Sequence, residues 1–307
     1  MSYLANLTLR LATAVASLPE DLLTRHTAFI IGAQAGDGGF AGRKGSGDLY
    51  YTSFALRALA LLSRLDDATA ERVTEFLKSR FSHKLPGIDF ISLLASAVVV
   101  EAASGHNLFD DLGIDPQQTA KNFFAPLRRP DGGYAKTPRS GTGSTYHTFL
   151  VAACLEMLGM EPDEPQQMIE MIRRRQRADG GFVEIDPMRH SGTNPTAAAI
   201  GLLKMLGGLE KETARAAAGF LAGAQTPEGG LRANTRIPVA DLLSTFTGLV
   251  ALEDLDALDG IDTAAAEQFV RSLDRPDGGF QAGTWDDDAD VEYTFYGVGA
   301  LGLLSNL

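Results

Sequence analysis

A Gly-Gly pair followed by an aromatic or aliphatic residue recurs along this chain at nearly constant spacing, and that period constrains the fold more than any other feature. The pairs open Gly38-Gly39-Phe40, Gly132-Gly133-Tyr134, Gly180-Gly181-Phe182, Gly229-Gly230-Leu231 and Gly278-Gly279-Phe280. From first glycine to first glycine the last four stand 48, 49 and 49 residues apart, and the gap from 38 to 132 is 94, twice 47. A degenerate copy is therefore expected near residue 85, where Leu85-Pro86-Gly87 stands. Six copies of one unit result. Periods of this length mark repeat architectures whose units cannot bury their apolar faces alone.

Each copy carries two helical patterns. The segment before each glycine pair reads as an amphipathic helix: 20–34, 67–81, 115–127, 164–176, 210–225 and 262–273. Asp115-Pro116 and Glu164-Pro165 place proline where a first helical residue is tolerated. The segment after each pair follows a loop of about ten residues and is apolar on all faces, over 49–65, 90–103, 145–158, 195–206, 242–252 and 291–304. All-round apolar helices are buried ones. The unit is thus an outer helix, a Gly-Gly turn needing positive φ or close backbone approach, a loop and an inner helix. With no polar end cap in the last copy, the six pairs predict an all-α (α/α)6 barrel or toroid around a central cavity.

The repeat runs to the end of the chain without a linker, which predicts a single domain over 1–307. A net charge of −12 argues against a nucleic-acid surface, which would be basic. One cysteine, Cys154, in an apolar run, allows no intrachain disulfide and fits a reducing compartment. The apolar opening 1–18 has Arg10 as its only cation and lacks the basic region of a signal peptide. No apolar stretch is read as reaching the 18 residues of a membrane span, so the expectation is a cytoplasmic protein with no transmembrane segment.

The inner-helix starts bring chemistry-bearing residues to one end of the repeat. Five open with an N-capping type, at Asp48, Asp89, Ser144, Asp241 and Asp290, and the other has Asn194-Pro195 nearby. The next turn holds Tyr50, Tyr51, Tyr146, His147, Glu292 and Tyr293, and further on stand Phe54, Phe149, Phe246 and Phe295. That aromatic stripe is either core packing or the wall of an apolar pocket. The loops ahead of these helices carry Arg43 and Lys44, Lys136 and Arg139, Arg189 and His190, and Arg232 and Arg236, an anion site or scattered surface cations. The last loop is acidic, Asp286-Asp287-Asp288-Ala289-Asp290; it matches DDxxD but reads better as a solvated turn.

On these glycine turns, above all Asp37-Gly38-Gly39-Phe40-Ala41-Gly42-Arg43 and Asp277-Gly278-Gly279-Phe280 with Asp290-Val291-Glu292-Tyr293-Thr294-Phe295, the chain resembles the prenyltransferase and squalene-cyclase toroid superfamily. It is most similar to the β subunits of protein farnesyl- and geranylgeranyltransferases. That resemblance implies an isoprenoid diphosphate as ligand and transfer of the prenyl group to a thiol activated by zinc. It places the family's zinc ligands Asp, Cys and His on Asp241, Leu243 and Tyr293. Leucine cannot ligate a metal, so no zinc site is expected, while the carboxylates Asp290 and Glu292 would suit magnesium.

The resemblance further implies that His190, Arg232 and Arg236 hold the diphosphate. Tyr51, Tyr146, His147, Phe246 and Phe295 would line the substrate, and Asp241, Asp290 and Tyr293 would serve the acceptor or a metal. The DxDD string of squalene-type cyclases and the Cys-Gly-Glu-Gln of thioester domains are both missing. Three functions stay open: a prenyltransferase without the usual zinc, a terpene-cyclase-like enzyme with aromatic cation stabilisation, and a non-catalytic isoprenoid-binding scaffold. An α-subunit-like partner and a homodimer are equally compatible.

Overall fold

The computed structural model describes residues 2–82 and 85–305. Met1, Asn306 and Leu307, the ends of the expected 1–307 domain, lie outside the described residues. Helix α1 (Tyr3–Val15) precedes the repeats. The outer helices are α2 (Glu20–Gly32), α4 (Asp67–Arg80), α7 (Pro116–Phe124), α9 (Pro165–Arg174), α11 (Lys211–Ala222) and α13 (Thr263–Ser272). The inner helices are α3 (Leu49–Leu61), α5 (Gly87–Ser104), α8 (Thr145–Met157), α10 (Thr193–Met205), α12 (Leu242–Asp254) and α14 (Val291–Leu304). Between α5 and α7 lies the short α6 (Leu108–Leu112), and β1 (Phe280–Gln281) pairs antiparallel with β2 (Ala289–Asp290). The alternation of outer and inner helices follows the sequence pattern, and inner helices such as α14 are buried along nearly their whole length.

Two starts differ from expectation. Helix α5 begins at Gly87, one turn early, behind Pro86, whose ring supplies no cap; Asp89 lies inside the first turn and caps nothing. At 18 residues α5 also passes the length and composition test for a membrane span, correcting the reading that no stretch does. It is packed against α3 and α4 as the inner helix of its repeat. Helix α10 begins at Thr193 behind Gly192, ahead of Asn194-Pro195.

The chain falls into two compact units. One contains residues up to Asn6 and Ala120–Ser272, and so nearly all of repeats 3 to 5 and the outer helix α13 of repeat 6; its inner helices α8, α10 and α12 pack side by side. The other contains Leu7–Thr119 and the segment from Leu273 onward. Here the last inner helix, α14, packs on the first, α3, which packs on α5. An open array would hold its first and last repeats apart.

The glycine turn explains the period. The first glycine of each pair has positive φ, as in Gly180 (88°) and Gly278 (96°), where other residues are strained. A Cβ on Gly180 would lie 2.2 Å from the carbonyl oxygen of Ala216, in the outer helix of the next repeat. The second glycine of each pair lies under a side chain of the same neighbouring helix: Phe76, Met171, Phe220 and Phe269 in turn. The last turn docks on the first outer helix, with Gly278 against the carbonyl of Arg25 and Gly279 against Phe29. Around that seam Arg25 makes a two-pronged ion pair with Asp274 (2.7 and 2.8 Å), and the Gly279 N–H donates to Nδ1 of the buried His26 (3.0 Å).

A second device fixes each loop to its inner helix. The N–H of the residue after the glycines donates to a buried threonine hydroxyl: Phe40 to Thr52, Tyr134 to Thr148, Phe182 to Thr196, Leu231 to Thr245 and Phe280 to Thr294. In four of these the threonine hydroxyl also donates to the carbonyl four residues back. Buried backbone groups are thereby satisfied without a sheet.

Candidate functional site

In the unit of repeats 1 and 2 with the last glycine turn and α14, the first turns of α3 and α14 meet around Glu292. Asp48 caps α3 by accepting from the Tyr50 and Tyr51 N–H groups, and Asp290 caps α14 by accepting from the Tyr293 N–H (3.0 Å). These caps fix the rotation of both helices, so that Tyr50 Oη donates to Glu292 Oε1 (2.7 Å) and Tyr296 Oη donates to the same oxygen (3.1 Å). Burial pushes the Glu292 carboxyl above the usual range, the hydrogen bond from Tyr50 opposes the shift, and Asp290 reinforces it.

Aromatic rings surround this carboxyl. Tyr50 and Phe54 lie edge to face at 4.9 Å, Phe54 and Tyr296 at 5.3 Å, Phe54 and Phe295 at 5.7 Å, and Tyr293 and Tyr296 at 6.0 Å. The Arg57 guanidinium lies 4.2 Å above the Phe54 ring and 5.0 Å from that of Phe295, so these faces already stabilise a cation. Tyr51 covers Gly42, and burial, followed by Asp290, Glu292 and Asp48, raises its phenol pKa.

The acidic run is not a free turn. Arg43 from the first loop ion-pairs with Asp286 and stands 3.5 Å from Asp288 and 3.6 Å from Asp290, placing a cation where a magnesium ion would have to bind. Asp290 is buried, which raises its pKa, while its bond to the Tyr293 N–H and Arg43 oppose the rise.

In the unit of repeats 3 to 5, Ser144 caps α8 and its Oγ is shared. It donates to Glu184 Oε1, it lies 3.0 Å from His147 Nδ1, and it accepts from the His147 N–H (3.1 Å). A hydroxyl has one proton. With that proton directed at Glu184, the Ser144–His147 contact is satisfied by the tautomer with hydrogen on Nδ1, which leaves Nε2 as an acceptor. Burial, then Lys136, lowers the His147 pKa, and burial raises that of Glu184.

Arg175, completely buried, donates to the Glu184 carbonyl (2.6 Å) and the Gly143 carbonyl (2.8 Å) and faces Asp131 (3.3 Å) and Asp186 (3.3 Å). It thereby binds the loops of repeats 3 and 4 together. Phe246 is buried and Tyr146 exposed. His190 and Arg236 are exposed on neighbouring loops, whereas the Arg232 guanidinium turns back to the Gly223 carbonyl (3.1 Å).

Asp241 spends both carboxylate oxygens on Ser244, one on its N–H (2.7 Å) and one on its hydroxyl (2.8 Å). Leu243 offers no donor atom, and no cluster of three or more His, Cys, Asp or Glu side chains suited to a metal occurs among the described residues. The zinc ligand set implied by the resemblance therefore does not fit this donor set. Sequence reasoning passed over Arg57, Tyr296, Glu184 and Arg175. Arg57 carried the one available signal, a lone cation inside the apolar run of α3.

The family model described as "Prenyltransferase alpha-alpha toroid domain" matches residues 2–87, 90–232 and 196–307. The chain belongs to that family. The all-α toroid class read from the glycine period is the fold of this family. No curated protein matches the chain by sequence. Among solved structures, Candida albicans protein geranylgeranyltransferase-I complexed with GGPP is similar at a TM-score of 0.72 and 16% identity, over 92% of this chain and 91% of that one. The type II terpene cyclase MstE from Scytonema, in complex with geranylgeranyl dihydroxybenzoate, reaches 0.61 and 16%, over 98% and 99%. A protein from Actinoplanes reaches 0.61 and 16%, over 93% and 99%. At these identities the likeness carries the fold alone.

Proposed function

We propose that this toroid is one domain that binds an isoprenoid diphosphate of farnesyl or geranylgeranyl length and transfers the prenyl group without an Asp/Cys/His zinc site. The observation that carries the reading is the layer of aromatic rings at the shared start of α3 and α14, Tyr50, Phe54, Phe295 and Tyr296, already set to hold a cation. Two of the similar structures hold geranylgeranyl ligands, which supports the same substrate class. Tyr51 and Phe295 would line the chain beside this layer, while Tyr146 and Phe246, proposed for the same role, belong to the unit of repeats 3 to 5. Burying 15 to 20 carbons at about 0.8 kcal/mol per CH₂ gives a gross drive on the order of 10 kcal/mol.

His190, Arg232 and Arg236 would neutralise the departing diphosphate. Asp241, Asp290, Tyr293 and His147 would stand on the acceptor side, where the neutral His147 Nε2 is able to take a proton. A cytoplasmic setting suits the lone buried Cys154, and an α-subunit-like partner or a second copy would complete the assembly.

One observation favours a second reading, a cyclase-like activity. Glu292 is a carboxyl held by two phenols among aromatic faces, with burial favouring its protonated form. A general acid able to protonate an alkene needs that environment. Incubation with geranylgeranyl diphosphate, with and without thiol and phenol acceptors, separates the two. Release of diphosphate that depends on acceptor supports transfer, a cyclised product that forms without acceptor supports the second reading, and no binding at all sinks both.

A further inference from the structure

We propose that the loop rim of repeats 3 to 5 docks on an anionic lipid surface. The rim consists of the loops 135–144, 183–192 and 232–241, and backbone hydrogen bonds make it continuous. The Thr145 N–H donates to the Glu184 carbonyl (3.0 Å), and the Thr193 N–H donates to the Ala233 carbonyl (2.9 Å). Each loop carries one proline, Pro138, Pro187 and Pro238, which sets the backbone φ at that position. Arg177 holds the second loop from below through the carbonyls of Asp186 (2.8 Å) and Met188 (3.1 Å), and Asn234 turns the third by accepting from the Arg236 N–H (2.9 Å).

Two kinds of side chain stand out from this rim. Tyr146, Met188, Ile237 and Val239 are exposed by 38 to 44%, and they are four of the six large apolar side chains left exposed among the described residues. Between them Lys136, Arg139, Arg189 and Arg236 are exposed. Most acids of the glycine turns and loops of these repeats are paired within them, and of those paired with Arg175 the Asp186 side chain is still half exposed. Asp131 and Asp186 face Arg175, Asp179 binds Ser191, Glu184 binds Ser144, Glu228 accepts from the Ala240 N–H and Asp241 caps α12. A chain of net charge −12 thus presents an outward face of interleaved cations and apolar tips.

That pairing is the chemistry of the lipid interface: cations meet anionic head groups while apolar tips enter the acyl boundary. An acidic peptide would satisfy the cations but leave the apolar tips wet, and an apolar partner would bury the cations unpaired. The rim shares Tyr146 and Arg236 with the proposed isoprenoid site, so the variants below leave both in place; such a substrate also partitions into membranes.

The test is co-sedimentation of the full chain with vesicles of phosphatidylcholine alone or with 30% phosphatidylserine. A fluorophore on Ile237→Cys reports insertion, since the native Cys154 is buried. Binding is expected only with the anionic vesicles, with a blue shift of the fluorophore and loss of binding at 0.5 M salt. Near an anionic leaflet one Lys or Arg contributes about fivefold. The variant Lys136→Gln, Arg139→Gln, Arg189→Gln should therefore lose on the order of a hundredfold in partitioning, while Met188→Ser, Ile237→Ser, Val239→Ser should abolish insertion. None of these residues is assigned to the isoprenoid site, so geranylgeranyl diphosphate binding in solution should be unchanged. Equal binding to both vesicle types overturns the proposal. So does failure to bind by a protein whose dimer, seen by ultracentrifugation, is dispersed by the serine variant, because the rim would then be a contact between copies.

Discussion

Gly278→Ala tests directly the docking of the last repeat on the first. At φ of 96° an L side chain is strained, which costs about 1–2 kcal/mol. The new Cβ would also lie 2.7 Å from the Arg25 carbonyl oxygen and 2.8 Å from the Phe29 Cβ. Relieving those contacts requires α2 to retreat by several tenths of an ångström, against the Arg25–Asp274 ion pair and the His26–Gly279 hydrogen bond. Together the loss should reach roughly 2–3 kcal/mol.

The size of the melting shift then reports cooperativity. Unfolding entropy near 2.1 cal/mol/K per residue over 307 residues converts that loss to about 3–5 °C. If the unit containing repeats 1 and 2, the last glycine turn and α14 melts separately, its half of the chain shifts by roughly twice as much, and only the first transition moves. Circular dichroism at 222 nm during a thermal scan reads either outcome. Gly219→Ala, in the interior of α11 with nothing within 4 Å of the new Cβ, is the opposite control and should gain about 0.5–1 kcal/mol. A Gly278→Ala protein melting within 1 °C of the parent would refute the docking of the seam.

Other expectations follow from the same contacts. Thr196→Val leaves the buried Phe182 N–H without its acceptor and should cost about 1–3 kcal/mol in urea unfolding, with Thr196→Ser restoring most of it. Burial lowers the His26 pKa from 6.5 to about 4, so the folded state favours the neutral ring. Stability is then unaffected above pH 6.5 and falls as pH drops from 6.5 towards 4, by about 3 kcal/mol in all. His26→Asn, which retains an acceptor for the Gly279 N–H, should flatten that fall in urea melts at pH 7, 5.5 and 4.5; an unchanged slope would show that His26 is not its source. Glu292→Gln should preserve isoprenoid binding within about threefold, and in a cyclase-like reaction it should lower turnover by at least a hundredfold, read by product chromatography.

The repeat and its two helix classes were legible because one physical need, close passage of the turn past the next outer helix, imposes glycine at a fixed interval. The caps Asp48, Ser144, Asp241 and Asp290 were legible for the same reason, each serving a local hydrogen bond. The start of α5 was not, because Pro86 sets the first turn and leaves Asp89 without a capping task. The threonine acceptors could have been found at a constant 14 residues after the glycine-pair aromatic or leucine in four copies.

Long-range charge pairing was out of reach. Nothing in Asp286-Asp287-Asp288 announces Arg43 as its partner, and in the run Arg173 to Arg177 nothing marks Arg175 as the buried member. The zinc mismatch, by contrast, is visible in Leu243 alone, since no conformation gives leucine a donor atom.

The central claim is that this toroid holds an isoprenoid chain, and equilibrium binding of tritiated geranylgeranyl diphosphate to the purified protein, with zinc measured on the same sample, tests it most directly. The account predicts saturable, near-stoichiometric binding that needs no zinc, weakened by Phe295→Ala through loss of the aromatic wall and by Arg236→Ala through loss of a diphosphate contact. Absence of saturable binding, or binding that requires one equivalent of zinc, would contradict it.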